Sequence, residues 1–343
     1  MKHGTGVAHV VSTREATLSE WRACHEASPD ATFFHGPEWS EIWAAYSGGA
    51  WRPAPRWIEF ADGRTAVIGY TLEPGPVVHG KNLRIRRFSL SPAGCYGGWV
   101  SQVALEQPHV RALAAEVLKL RALVWRQSPS ESEFSLASVR GVRAELTYLV
   151  DLREGADGAH ARWHRRPRQY AAAARRRGVS VREARSHEDW LDYDRLYREA
   201  IRRWGTPSSV YDRSLFEILH DRASPNVRLW LAVYEGRPIA GELVFTAHRH
   251  AVSWHAAART NVVRGAAHLL SWEIIGALEA EGFLVHDLNP SGGHDGATRY
   301  KESIGAEAKP APILIRRHPV ERLLSTARRA TGRRPKRLRS REQ

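Results

Sequence analysis

Hydrophobic and polar positions along the chain follow two distinct periods. Residues 17–27 (TLSEWRACHEA) and 37–46 (PEWSEIWAAY) repeat apolar side chains three and four apart, the spacing of one helix face, and Pro37 suits a first helical turn. WIEFA (57–61), TAVIGYTL (65–72) and NLRIRRFSL (82–90) alternate or run β-branched between DG, PG and SP turn signals, which predicts strands. After the glycine-rich YGGWVS, residues 108–125 carry a strong helical pattern, and 133–139 and 145–151 read as strands. A first mixed unit is therefore expected to end near residue 150.

The polar, glycine-containing stretch DLREGADGA joins it to a second unit. There the pattern predicts helices over 168–177, 187–204, 211–222 and 264–281, and strands near 179–184, 228–235, 238–247, 250–258 and 283–288. VYEGRPIAG marks a hairpin turning at Glu235 to Pro238. Both halves combine helices with a mainly antiparallel meander and lack alternating βαβ units, so the expected class is α+β. The expected division is 1–150, 151–315 and a basic segment, 316–343.

The length of 343 residues fits two units better than one core. With 43% hydrophobic residues and 13 Trp the chain can bury substantial cores, which excludes a disordered or collagen-like protein. Two distant cysteines, Cys24 and Cys95, exclude a disulfide framework and a Cys-rich metal site, and they fit a reducing cytoplasm. No apolar run is long enough to span a bilayer and the first residues carry no signal-peptide core, so a soluble, cytoplasmic protein without membrane insertion is expected.

Charge changes the picture because it is localised. Of a net +14, residues 162–185 hold +8 and residues 316–343 hold +9, leaving the rest slightly acidic. Two Arg-rich clusters point to a polyanion such as RNA, although each alone also suits a solvated face or a frayed end. Neither has the Leu and Phe face of an interfacial membrane helix.

No Walker loop, HExxH, GxSxG or paired CxxC occurs, and His248 and His250 lack carboxylate or Cys neighbours in sequence, so no metal is expected. The densest region for chemistry is 283–305, FLVHDLNPSGGHDGATRYKESIG. An apolar strand delivers Asp287 and Asn289 to a glycine-rich loop, and a short helix then carries Tyr300 and Lys301. A lysine placed there can meet a developing negative charge. A turn-rich connection with an exposed lysine is the plainer alternative.

Residues 300–306, YKESIGA, with the strand ending in Asp287-Leu288 and the loop between them, resemble the Fem family, tandem acyltransferase-fold enzymes that move an amino acid from aminoacyl-tRNA onto an amine. FFHGPEWSEIW, YGGWVS, the Arg-rich helix before Gly178-Val179, LYREAIRRWG, LWLAVYEGRPIAG and LLSWEIIGALEAEGF extend the likeness over residues 33–306. The resemblance implies two GNAT-like domains, an acceptor cleft between them, and a carboxy-terminal segment returning to the first. It implies that Lys301 supports the tRNA acceptor end and the tetrahedral intermediate. Arg165, Arg166, Arg168, Arg175, Arg176, Arg177 and Tyr300 become the expected tRNA contacts, and Trp39, Trp43, Arg213 and Asn289 the expected acceptor contacts. Cell-wall members carry a lysine a few residues after the position of Trp39, where this chain has Trp43 and Ala44. An amino sugar or peptide-like amine is therefore as plausible an acceptor as a cell-wall precursor.

The expected activity is amide formation, with Asp287, Glu242 or water taking the proton and no cofactor beyond the tRNA-borne co-substrate. An acyl-CoA-dependent N-acyltransferase is one alternative. Its pyrophosphate turn would fall at Val262–Ala267, where Val262 stands in place of Gln or Arg. A non-catalytic RNA-binding protein is the other.

Overall fold

The computed structural model describes residues 8–75, 77–78, 81–82, 86–130, 134–204, 211–222 and 225–321. The chain opens with β1 (Val10–Glu15), α1 (Leu18–Glu26) and α2 (Pro37–Tyr46). Thr17 caps α1 in a reciprocal box with Glu20, and Pro37 occupies the first turn of α2, so both helices start where the sequence places them. Short strands follow: β2 (Arg52–Pro53), β3 (Arg56–Phe60), β4 (Thr65–Ile68), β5 (Thr71–Pro74), β6 (Val77–Val78), β7 (Lys81–Asn82), β8 (Arg86–Ser89) and β9 (Trp99–Val100). Then come α3 (Gln107–Leu118), β10 (Leu123–Arg126) and β11 (Val142–Arg143).

Three expectations change here. The run 65–72 is two strands, because Gly69 passes so close to Trp21 that a Cβ would lie 2.5 Å from its ring, and the chain changes sheet at that point. Helix α3 stops at Leu118, and the apolar run after it forms β10, buried on both faces inside a sheet, where periodicity does not separate helix from strand. Residues 136–138 form a 3-10 turn, not part of a strand.

The remaining elements are β12 (Leu146–Asp151), α4 (Gly155–Ala161), α5 (Arg165–Arg176), β13 (Ser180–Glu183), α6 (His187–Trp204), α7 (Arg213–Asp221), β14 (Val227–Tyr234), β15 (Arg237–Ala247), β16 (His250–Ala258), α8 (Ala266–Ala280), β17 (Val285–Asp287), α9 (Asp295–Ser303), β18 (Glu307–Pro310) and β19 (Ile313–Arg316). They confirm the α+β class. The sheets are ordered β1-β3-β4-β9, β11-β19-β10-β8-β5-β2 and β13-β14-β15-β16-β17-β12-β18, and among the described residues the only parallel pairings are β8 with β10 and β16 with β17.

The two halves exchange strands. Strand β12, early in the chain, lies between β17 and β18 of the seven-stranded sheet, and β19, late in the chain, lies between β11 and β10 of the six-stranded one. Residues 313–316 thus provide a return to the first sheet, while 322–343, most of the basic tail, lie outside the described residues. One core crosses the seam: Phe33, Phe34, Trp39 and Ile42 pack with Tyr193, Phe216, Leu243 and Phe245. Burying each such side chain contributes about 1.5–3 kcal/mol, so the halves are held as one body.

Candidate functional site

The site begins where the pairing of two strands ends. Parallel pairing of β16 with β17 covers Val252 and Asp287 and stops, while β16 continues to Ala258. Asn289, just past β17, adopts φ +62°, and Gly292 and Gly293 also lie in the left-handed region, so the loop doubles back into α9. Lys301 in the last turn of α9 donates from Nζ to the Asn289 carbonyl at 2.6 Å, and its ammonium stands 5.5 Å from the Tyr148 ring. Burial lowers its pKa to about 8, against the opposing pull of Asp287 and Glu242.

Those two carboxyls converge on the lysine electrostatically from different strands. Asp287, 4% exposed, accepts from Thr147 Oγ1 at 2.5 Å and from the Asn289 amide at 2.7 Å. The buried phenol of Tyr96, from the first half, faces Asp287 and Thr147 without a well-formed hydrogen bond. Glu242, 6% exposed, accepts from the Ser253 hydroxyl. Burial pushes both carboxyls upward in pKa, and the neighbouring hydroxyls and the lysine pull them back. Neither carboxylate reaches ion-pair distance of Nζ, so Lys301 keeps a charge that no contact cancels. The chain has 45 Arg and only six Lys. A half-buried cation that titrates near neutrality is a role that Arg cannot fill.

The basic helix abuts this site. Its leading residue His164 donates its amide to the Ser303 carbonyl at the end of α9, at 2.9 Å. Farther along, α5 lies against the start of α8. A Cβ on Gly265, at φ +93°, would stand 2.3 Å from the Tyr170 carbonyl oxygen, and Arg264 stacks 4.3 Å above the Tyr170 ring. Arg165, Arg166, Arg168, Arg175, Arg176 and Arg177 are all exposed. Arg175 pairs with Glu273, and the other five form no ion pair among the described residues.

The other expected residues fall elsewhere. Tyr300 lies beside Lys301, but its hydroxyl is spent on Ser271 at 2.9 Å and the Ala267 carbonyl at 3.0 Å, so it is not offered to RNA. Asn289 touches the lysine through its carbonyl, not its side chain. Trp39 is fully buried and donates to the Pro92 carbonyl at 3.0 Å, which makes it a packing residue of the seam. Trp43 lies in an aromatic cluster with Tyr46, Trp51 and Tyr211, its buried Nε1 without a partner. Arg213 is exposed and pairs with Glu217 at 2.8 Å. His248 reaches across the seam to the His25 carbonyl at 3.0 Å. A separate cavity of about 400 Å³ lies in the first half, lined by residues that include Asp30, His35, Trp99, Val103 and Phe134.

Sequence reasoning missed Tyr96, Thr147, Ser253 and His286. Nothing in their local pattern marks them, because strand exchange and register alone bring them to the lysine.

Residues 159–302 match the acetyltransferase (GNAT) domain family. The whole chain is similar to the crystal structure of FemX, with TM-score 0.68, 13% identity, and coverage of 92% of this chain and 100% of that one. It is also similar to L-PGS from Bacillus licheniformis (TM-score 0.53, 13% identity, 94% and 99% covered) and to a conserved protein of unknown function from Bacteroides thetaiotaomicron (TM-score 0.56, 10% identity, 89% and 98% covered). No curated protein matches it by sequence. Among the described residues no helix is long and apolar enough to cross a membrane. The chain shares the fold of FemX, and residues 159–302 within it match the GNAT domain family.

Proposed function

We propose that this protein is an aminoacyl-tRNA-dependent aminoacyltransferase that forms an amide bond on a small amine acceptor. The observation that carries the reading is the junction of α5 with α9. A face of five uncompensated arginines joins directly onto the helix whose lysine holds an unneutralised charge between two buried carboxyls. Phosphate contacts need clustered permanent cations, and an activated ester needs a fixed positive charge where its carbonyl oxygen turns negative. The Fem-like motifs and the likeness to FemX support the same donor.

In this reaction the acceptor amine attacks the ester carbonyl. The new C–N bond forms, the Lys301 ammonium stabilises the oxyanion, and the C–O bond to the terminal ribose breaks as the intermediate collapses. The amine proton passes to Asp287 or Glu242 and on to the departing ribose hydroxyl, so protons balance without an enzyme-bound intermediate.

The GNAT domain match favours acyl-CoA as the second reading for the donor. Against it, Val262 stands where the pyrophosphate turn would carry Gln or Arg.

The deciding experiment incubates the purified protein with charged total tRNA and an amine library, followed by mass spectrometry. RNase-sensitive amide products are expected. Equal product from acetyl-CoA with tRNA absent would overturn the reading.

A further inference from the structure

Two side chains that the proposed reaction does not use, Ser253 and His286, form a polar row with Glu242 on neighbouring strands. Glu242 on β15, Ser253 on β16 and His286 on β17 are 6%, 7% and 0% exposed. The Ser253 oxygen bonds Glu242 Oε1 and lies 2.7 Å from His286 Nε2. His286 Nδ1 is buried and has no partner among the described residues.

Hydrogen counting orders this row. A serine hydroxyl has one hydrogen to give, and a neutral imidazole donates from one nitrogen only. If Ser253 donates to an ionised Glu242, His286 must donate from Nε2 to Ser253, which leaves Nδ1 as a bare lone pair. If Ser253 donates instead to His286, the imidazole hydrogen sits on Nδ1 and is buried with no acceptor, at a cost of about 1–3 kcal/mol. The partnerless nitrogen is therefore tolerated best in the first arrangement. Burial keeps His286 neutral, with its pKa lowered to about 3, so the row carries no second cation.

The groups around Glu242 are few. Ser271 on α8, Tyr300 and Lys301 on α9 and Tyr193 on α6 are the remaining titratable or polar neighbours, and Asp287 with Tyr96 and Thr147 completes the surroundings of the lysine. Of these only Lys301 carries a positive charge.

We infer that Ser253 and His286 are positioning residues that hold Glu242 ionised and, through it, keep the Lys301 ammonium protonated. The hydroxyl supplies the carboxylate with a donor inside the sheet, the imidazole fixes which way that hydroxyl points, and the resulting negative charge favours the cationic lysine. This deepens the aminoacyl-transfer reading, but its test reads protonation states and needs no turnover, so the two fail separately.

The test is nuclear magnetic resonance on the intact chain. Long-range proton–nitrogen spectra report the His286 tautomer, and with only six lysines a carbon-13 lysine label resolves Lys301. In the unmodified protein His286 is expected as the Nε2–H tautomer, with Lys301 titrating near pH 8. Ser253→Ala is expected to move the Lys301 midpoint down by at least about half a pH unit, a three-fold loss of proton affinity, and Ser253→Thr to restore it. An Nδ1–H tautomer for His286 overturns the inference, and that measurement needs no variant to fold. A Lys301 midpoint unchanged in folded Ser253→Ala overturns it as well.

Discussion

The molecule buries charge in two ways: by direct pairing, which serves the first half and also Asp189 with Arg182 and Asp194 with Arg198 in the second, and by separation, around Lys301. Among the described residues of the first half, every well-buried carboxylate or guanidinium meets its opposite directly. Arg87 Nε sits 2.8 Å from Glu73, and Arg126 Nη2 lies 2.8 Å from Glu145 while its other nitrogens bond the Gly94 and Ala311 carbonyls. In the second half Lys301 and its two carboxyls are kept apart, each held by hydroxyls, amides or carbonyls. Contact pairing neutralises a charge and serves structure. Separation leaves the charge available to a ligand, and the cost appears as the displaced titration of the lysine.

The contrast can be broken most strongly at the lysine. Lys301→Ala is expected to reduce turnover by about 10²–10³ while leaving thermal stability unchanged or higher, because it removes the stabiliser of transition-state charge and the cost of burying it. Lys301→Arg should not rescue it. Steady-state assays with charged tRNA, beside calorimetry, check both. Arg126→Ala is the opposite case. It takes the donor from the Gly94 and Ala311 carbonyls while Glu145 keeps its pairing with Arg143, and should cost about 1–3 kcal/mol in urea unfolding, with turnover per folded molecule retained.

Smaller effects sharpen the same division. Gly265→Ala forces a Cβ onto the Tyr170 carbonyl at a positive φ, and should cost about 1–3 kcal/mol while loosening α5 from α8. The triple variant Arg165→Ala, Arg166→Ala, Arg168→Ala should weaken tRNA binding and reduce the slope of log affinity against log salt by about 2, measured by filter binding or anisotropy. For pH, the sign follows from a folded pKa near 8 below the ordinary lysine value of 10.5. Between those limits the unfolded chain binds more protons, so this group's contribution to stability rises with pH, while turnover falls above pH 8 as the ammonium is lost. Lys301→Met should abolish both trends.

Much of this was legible in the chain. The capped α1, Pro-initiated α2, the 228–258 strands and the 283–305 strand-loop-helix carry their signals locally, in caps, periods and turn residues. Lys301, Asp287 and Glu242 were nameable, and the structure brings the three together. The strand at 123–126 was not legible, because an all-apolar run next to a helix has no period to distinguish it. Trp39 read as a ligand contact and proved to be seam packing, since an aromatic near a motif looks the same from either role.

By itself the sequence determined the local elements, the localised positive charge on α5, and which lysine follows the glycine-rich loop, because each of these is set by residues close in the chain. Only the tertiary structure decided that β12 and β19 change places, that Tyr96 and Thr147 reach Asp287, and that Ser253 and His286 stand beside Glu242. Those contacts join residues many positions apart, and their energies depend on burial, register and distance, none of which exists until the strands have paired.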